Sequence, residues 1–363
     1  MEEDSFGSRK GKNMARIGED ASGGGRVRWG ILGTGRIATK FAAELKRVER
    51  LGGSSVAQAV AARELERSER FAGEHQIPHA CGSYTELLER PDIDVVYIGL
   101  VNSQHYPVCK EALLAGKAVL CEKPFTMHPS QSDELIGLAR QRGLFLMEGL
   151  WSRCFPVVRA VRDIIHGKEY GAVTLAEFDF GFIGDLSPQG RLMNPALGGG
   201  ALNDVGIYPL TLSQFFLGPI VEFQAMATLS PSGVDLRVLV NARHESGALS
   251  RLAASIDTIT QKEGNLFAER AAIHIPSPLW KPPLAICRIH EGQRGSTPAR
   301  PPTERRIEGA YGGNGFEFEI NHVAECVAAG LTESPLMPLE ETLQTALLME
   351  KIRKECGIAA PGL

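Results

Sequence analysis

Long apolar runs are absent from this chain of 363 residues, and none is long enough to cross a bilayer. An excess of one charge is absent too. The formal net charge of −4 gives no global argument for binding nucleic acid or an anionic membrane. The seven cysteines are odd in number, have no framework spacing and include no CxxC pair, which argues against a disulfide scaffold and for a reducing compartment. The nine histidines form no HExxH or comparable signature, so no metal site is expected. Residues 1–25 lack the apolar core of a secretory signal, and Glu2, Glu3, Asp4, Glu19 and Asp20 argue against a mitochondrial transit peptide. They read as a disordered tail on a cytoplasmic protein. No internal repeat is present.

The length fits two domains. The most informative stretch is Gly30-Ile31-Leu32-Gly33-Thr34-Gly35-Arg36-Ile37-Ala38. An apolar strand, Val27 to Leu32, precedes it, and Ile37, Phe41, Leu45 and Val48 follow at helical spacing. Gly33 suits a tight turn, Gly35 lets backbone approach a pyrophosphate, and Ala38 lets helix and strand pack closely. The helix start would offer free N–H groups and a positive dipole end to phosphates, with Thr34, Arg36 and Ile37 around them. Apolar strands and helices alternate from there to Met147, which predicts a doubly wound parallel sheet over residues 26–149.

The end of the second strand carries the choice of cofactor. NAD-selective folds place Asp or Glu there for the ribose 2′-hydroxyl. This chain has Ala61-Ala62-Arg63, and a guanidinium suits a phosphate. The expectation is NADP, with a solvated Arg63 as the alternative. Asn102, in a loop after another strand, either caps a helix or runs along the nicotinamide half of the cofactor. His105 in the same loop lines that site or serves the core. Cys121-Glu122-Lys123-Pro124 ends a further apolar strand and brings Glu122 and Lys123 to the same sheet edge.

After a crossover at Glu148 to Pro156 the pattern changes to longer strands with few helices between them. Residues 150–363 therefore read as an α+β domain with a large, mostly antiparallel open sheet. Glu291 to Arg306 reads as a surface loop, and Phe316 to Ala329 and Leu339 to Cys356 as late helices. Gly198-Gly199-Gly200 leads to Asn203-Asp204 and then an apolar run. A helix starting near Asp204 would put Asp204 and Tyr208 on one face. They form an N-cap and a half-buried core residue, or two groups of an active site.

In this order the motifs resemble the glucose-fructose oxidoreductase / inositol dehydrogenase (Gfo/Idh/MocA) family, in its dihydrodiol dehydrogenase and NADP-linked D-xylose dehydrogenase branch. The carrying stretches are Gly116 to Pro124, Gly143 to Glu148, Trp151-Ser152-Arg153, Gly199 to Tyr208 and Glu333 to Glu340. Asn203 departs from the family, which often has an apolar residue there. The resemblance implies a homodimer through the second sheet, and Lys123, Asp204 and Tyr208 meeting beside the nicotinamide. Tyr208 would be the general acid/base, Lys123 would lower its pKa and orient the substrate, and Asp204 would bind a substrate hydroxyl. Lys123 and Tyr208 could exchange roles. Trp151, Arg153 and Trp280 would border the pocket, Trp151 alternatively being core. The implied activity is oxidation of an aldose such as D-xylose at C1 to the lactone. The alternatives are oxidation of a trans-dihydrodiol and, in another class, a non-catalytic NADP-sensing regulator.

Overall fold

The computed structural model describes residues 25–290 and 301–360. The first sheet is built from β1 (Val27–Leu32), β2 (Ser55–Ala61), β3 (His79–Cys81), β4 (Val95–Ile98), β5 (Ala118–Glu122) and β6 (Leu146–Gly149), in the order β3-β2-β1-β4-β5-β6. All its ladders are parallel. Every residue of β4 and β5 is buried, as continuous apolar strands covered by helices on both faces must be. The helix Arg36–Arg50 turns Ala38, Phe41, Leu45 and Val48 inward, and the Phe41 ring stacks on Tyr97 at 3.7 Å. Strand order reverses between β1 and β4, so the crevice for a ligand opens beyond the carboxyl ends of these strands. Gly33 follows β1 and Lys123 follows β5, which puts both on that edge.

The second sheet contains β7 (Val173–Gly181), β8 (Ile220–Leu229), β9 (Asp235–His244), β10 (Leu249–Ser255), β11 (Gly264–Ala268), β12 (Ala271–Ile275), β13 (Leu284–Ile289) and β14 (Thr303–Glu308). Their order is β14-β13-β12-β11-β7-β10-β9-β8. The β10–β7 ladder is parallel and the others are antiparallel. The helix Ile207–Leu217 packs on its inner face and buries every residue except Gln214, the signature of a helix with no solvent side. The fold is α/β, a Rossmann sheet followed by a large, mostly antiparallel mixed sheet.

Two expectations need correction. The loop expected to run to Arg306 already pairs from Thr303 onward, where β14 forms a ladder with β13 (residues 291–300 lie outside the described region, as does the tail up to 24). The helix does not begin as an α-helix near Asp204. A π-turn, Leu202–Gly206, comes first, and the α-helix starts at Ile207. The wide turn is anchored at its start by Asp235 Oδ2, which accepts the Leu202 N–H at 2.6 Å. Among the described residues, no helix is long and apolar enough to cross a membrane.

Candidate active site

A groove of about 540 Å³ runs past the first glycine turn, lined by Gly33, Thr34, Gly35, Arg36, Ile37 and Arg63 among others. Gly33 has φ +110°, and a Cβ there would lie 2.7 Å from the Gly99 carbonyl oxygen, so glycine is required. A Cβ on Gly35 would meet nothing within 4 Å, which leaves open space over the backbone where a ligand can approach. Gly35 precedes the helix Arg36–Arg50, and no side chain caps that helix. Its first N–H groups are therefore available to an anion. These features fit a dinucleotide. Arg67 and Tyr84 line the same groove as Arg63. Sequence reasoning missed both, although Arg67 stands four residues after Arg63, one helical turn on. Among the described residues, no carboxylate lines this groove.

A second cleft of about 500 Å³ shares Arg36, Ile37, Leu100 and Val101 with the groove and leads into the second domain. Asn102, Glu122, Lys123, Trp151, Asp204, Tyr208 and Trp280 all line it. The Lys123 ammonium donates to the Asp204 carbonyl oxygen at 2.6 Å and lies 5.0 Å from the Tyr208 ring centroid. Trp151 Nε1 donates to the Tyr208 hydroxyl at 3.3 Å. The Asp204 carboxylate accepts from Arg191 at 2.7 Å. Although burial opposes ionisation of Asp204, Lys123 and Arg191 outweigh it and hold the pKa below the usual value. The π-turn widens the backbone here so that Asp204 and Tyr208 both reach the cleft from consecutive turns.

Burial raises the Tyr208 pKa, and the nearby Glu122 adds to the effect. The sequence reading expected Lys123 to lower it. The ammonium lies over the ring and is engaged by the Asp204 carbonyl, and burial of the phenol dominates. The phenol is the resting form. Glu122 is itself buried. Its Oε1 accepts from the Tyr97 hydroxyl at 2.8 Å and its Oε2 from the Lys123 N–H at 3.2 Å. It thus shapes the turn that presents Lys123.

Two expected site residues lie behind the cleft. His105 is fully buried between the carbonyls of Pro124 (2.9 Å) and Leu100 (3.2 Å), where it ties together the loops after β4 and β5. Arg153 is 1% exposed; it pairs with Glu341 at 2.5 Å and donates to the Leu336 and Thr211 carbonyls. Both fix the cleft's frame without lining it. Asn203 is satisfied where the family often has an apolar side chain: its Oδ1 accepts from Arg353 at 3.2 Å.

The wall facing Tyr208 is aromatic, which the sequence reading recognised only at its tryptophans. Phe180 stacks on Trp280 at 4.0 Å and lies 5.5 Å from the Tyr208 ring, while Trp151 stacks on Phe316 at 4.5 Å. Phe182 extends the same strand-end face. Strand alternation places Phe180 and Phe182 together, but only the tertiary fold brings Phe316 to them.

Comparisons with known proteins agree with this geometry. Residues 27–150 match the oxidoreductase family, NAD-binding Rossmann fold (Gfo/Idh/MocA), and residues 158–274 match the Gfo/Idh/MocA C-terminal domain. The trans-1,2-dihydrobenzene-1,2-diol dehydrogenase of Bos taurus is 35% identical over 337 residues, spanning 92% of this chain and 98% of that protein. The enzyme of the same name from Homo sapiens is 33% identical over 338 residues, with 92% and 98% covered. Among solved structures, a 3-ketoreductase from Actinomadura kijaniata in complex with NADP and TDP-benzene superposes with TM-score 0.77 and 26% identity, covering 91% of this chain and 98% of that one. The chain belongs to the Gfo/Idh/MocA family of NAD(P)-dependent oxidoreductases.

Proposed function

We propose that this protein is an NADP-dependent dehydrogenase of ring-borne vicinal diols, of the trans-dihydrodiol type. The observation that carries this reading is the aromatic wall of Phe180, Trp280 and Trp151 set beside Tyr208 and Lys123. A flat, largely apolar ring suits such a wall, and two adjacent hydroxyls suit the polar groups opposite it. Relatives named as dihydrodiol dehydrogenases support the same reading.

NADP is favoured over NAD by Arg63 and Arg67 in a groove without a carboxylate. Gly33, Thr34, Gly35 and Arg36 would hold the pyrophosphate, and Asn102 and Lys123 would border the nicotinamide. A bound nicotinamide would supply the acceptor for the hydride from the alcohol carbon. Tyr208 exchanges the hydroxyl proton at its Oη, as acid toward a carbonyl in reduction and as base, once ionised, in oxidation. Lys123 spends one N–H on Asp204 and keeps its others for the substrate oxygen. Asp204, held by Arg191, accepts a hydrogen bond from the neighbouring hydroxyl. The aromatic faces exclude water and orient the ring.

A second reading is oxidation of an aldose such as D-xylose, which the polar pair Asp204–Arg191 favours. The test is NADPH formation with trans-1,2-dihydrobenzene-1,2-diol, D-xylose and D-glucose. A diol-to-sugar ratio of kcat/KM well above one supports the first reading, and the inverse ratio supports the second. Tight NADP binding without turnover of any of them would leave the sensor.

A further inference from the structure

The cleft holds two cations that the chemistry above does not use, Lys40 on the helix after the first glycine turn and Lys262 beside the aromatic wall, and the second is the one placed to meet a ring. Lys123 is engaged with Asp204, and Arg191 is paired with it. Lys262 lines the same cleft from the second domain, and it is not part of the glycine-turn groove. Its ammonium has no hydrogen-bond or ion-pair partner among the described residues. The nearby carboxylates are otherwise occupied. Asp179 accepts the Lys262 backbone N–H at 2.7 Å, and Glu263 faces His274 at 3.8 Å.

The backbone at this position is unusual. Lys262 has φ +63°, a left-handed conformation that residues with side chains rarely adopt. Two hydrogen bonds hold it there, one to Asp179 and one from the Leu279 N–H to the Lys262 carbonyl at 2.9 Å. Leu279 directly precedes Trp280, whose ring stacks on Phe180. Lys262 is thus fixed at the rim of the aromatic wall. Strained positions of this kind are retained where the surrounding structure over-determines them, which happens most often at ligand sites.

We infer that Lys262 is a specificity-determining residue: the preferred substrate is a ring diol bearing an anionic group, a carboxylate in the simplest case, which the Lys262 ammonium binds while the ring lies on Phe180 and Trp280. This inference rests on the ring-diol reading. It narrows that reading from neutral diols to acidic ones.

The experiment compares two substrates that differ by one group, trans-1,2-dihydrobenzene-1,2-diol and the same diol with a ring carboxylate, in the NADP-loaded wild-type, Lys262→Met and Lys262→Arg proteins. The wild type is expected to favour the carboxylate by about tenfold or more in kcat/KM, the size of one charge-assisted contact. Lys262→Met should raise KM for the carboxylate and leave the neutral diol unchanged. Lys262→Arg should keep part of the preference. Equal use of both diols by the wild type, or an equal loss on both in Lys262→Met, would overturn the assignment. If neither diol is oxidised, the ring-diol reading fails on its own. The subsite is then judged by binding of benzoate against benzyl alcohol to the NADP-loaded protein. Tighter benzoate binding that disappears in Lys262→Met supports the subsite, and equal binding overturns it.

Discussion

The Lys123 ammonium sits over the Tyr208 ring, 5.0 Å from its centroid, and donates to the Asp204 carbonyl oxygen at 2.6 Å. The two groups therefore divide the work. On the mechanism proposed above, Lys123 fixes position through Asp204, while Tyr208 holds the transferable proton. Replacing Tyr208 by Phe should lower turnover on the order of 10²–10⁴-fold. NADP affinity should change little, because Tyr208 is absent from the glycine-turn groove. Steady-state kinetics beside a fluorescence titration with NADP check both statements, and undiminished turnover would remove Tyr208 from the mechanism.

The pH dependence follows from the same burial. The Tyr208 pKa is raised, so the phenol predominates at neutral pH. Oxidation, which needs the ionised form, should accelerate as pH rises. Reduction, which needs the phenol, should hold steady and fall only at alkaline pH. Measuring kcat in both directions over the alkaline range tests the sign. The tyrosine is excluded if the limb of the oxidation profile persists unaltered in Tyr208→Phe.

On the proposed reading, Arg63 and Arg67 carry a preference for NADP. Converting both to Ala should raise KM for NADP by about 10–100-fold, the effect of losing charge-assisted bonds to a phosphate. KM for NAD should move far less. Equal losses for NADP and NAD would show that the two arginines serve the groove's structure and not a 2′-phosphate.

Glu148 contributes to stability against pH. Its pKa is raised to about 7 by burial, above the value of 4.5 for a free side chain. The folded protein then binds more protons than the unfolded chain between those values. Stability should fall as pH rises from about 4.5 to about 7 and level off above, by on the order of 3 kcal/mol from this group. Glu148→Gln removes this contribution while Oε1 can still accept the Phe125 N–H. Asp235, also raised to about 7, keeps part of the slope. Thermal melts across this range should be visibly flatter for Glu148→Gln, and identical slopes would contradict the assignment.

The outer face of the second sheet suggests an assembly. Leu175, Met226, Leu239 and Leu249 are exposed there, and the ladders place them on one side together with the pairs Arg251–Glu177 and Arg243–Glu222. An exposed apolar patch rimmed by ion pairs is the character of a protein interface. We propose a homodimer through this face. Sedimentation should show a dimer for the wild type and a monomer for the double variant Met226→Arg, Leu239→Arg. A wild-type monomer at micromolar concentration would end the proposal.

Much of the fold is legible along the chain because its signals are local. Val27 to Leu32, Gly33 and Phe41 declare strand, turn and helix within fifteen residues. The strand β3 is three residues long, too short for a period to register. Lys123, Asp204 and Tyr208 stand at motif positions, so their meeting could be anticipated. Arg153 and His105 carry the same motif signal and yet turn inward, since a buried cation and a buried imidazole are fixed by partners such as Glu341 and Pro124 that lie far off in sequence or behind the strand ends. Phe316 and Lys262 left no trace, because nothing near them in sequence says which cavity they border.

Phe316 has one more consequence. The last third of the chain closes the first lobe: Phe316 packs edge-on against Phe41, Leu339 enters the apolar layer on the far side of the parallel sheet, and Leu146 bridges to Glu333. During synthesis the nucleotide-binding lobe cannot finish its packing until nearly all of the polypeptide has left the ribosome. Severing the gene after the first sheet would therefore leave Phe41 and the Leu146 strand edge without their late-chain partners, and loss of the distal helices would harm cofactor affinity from a site remote in the coding order.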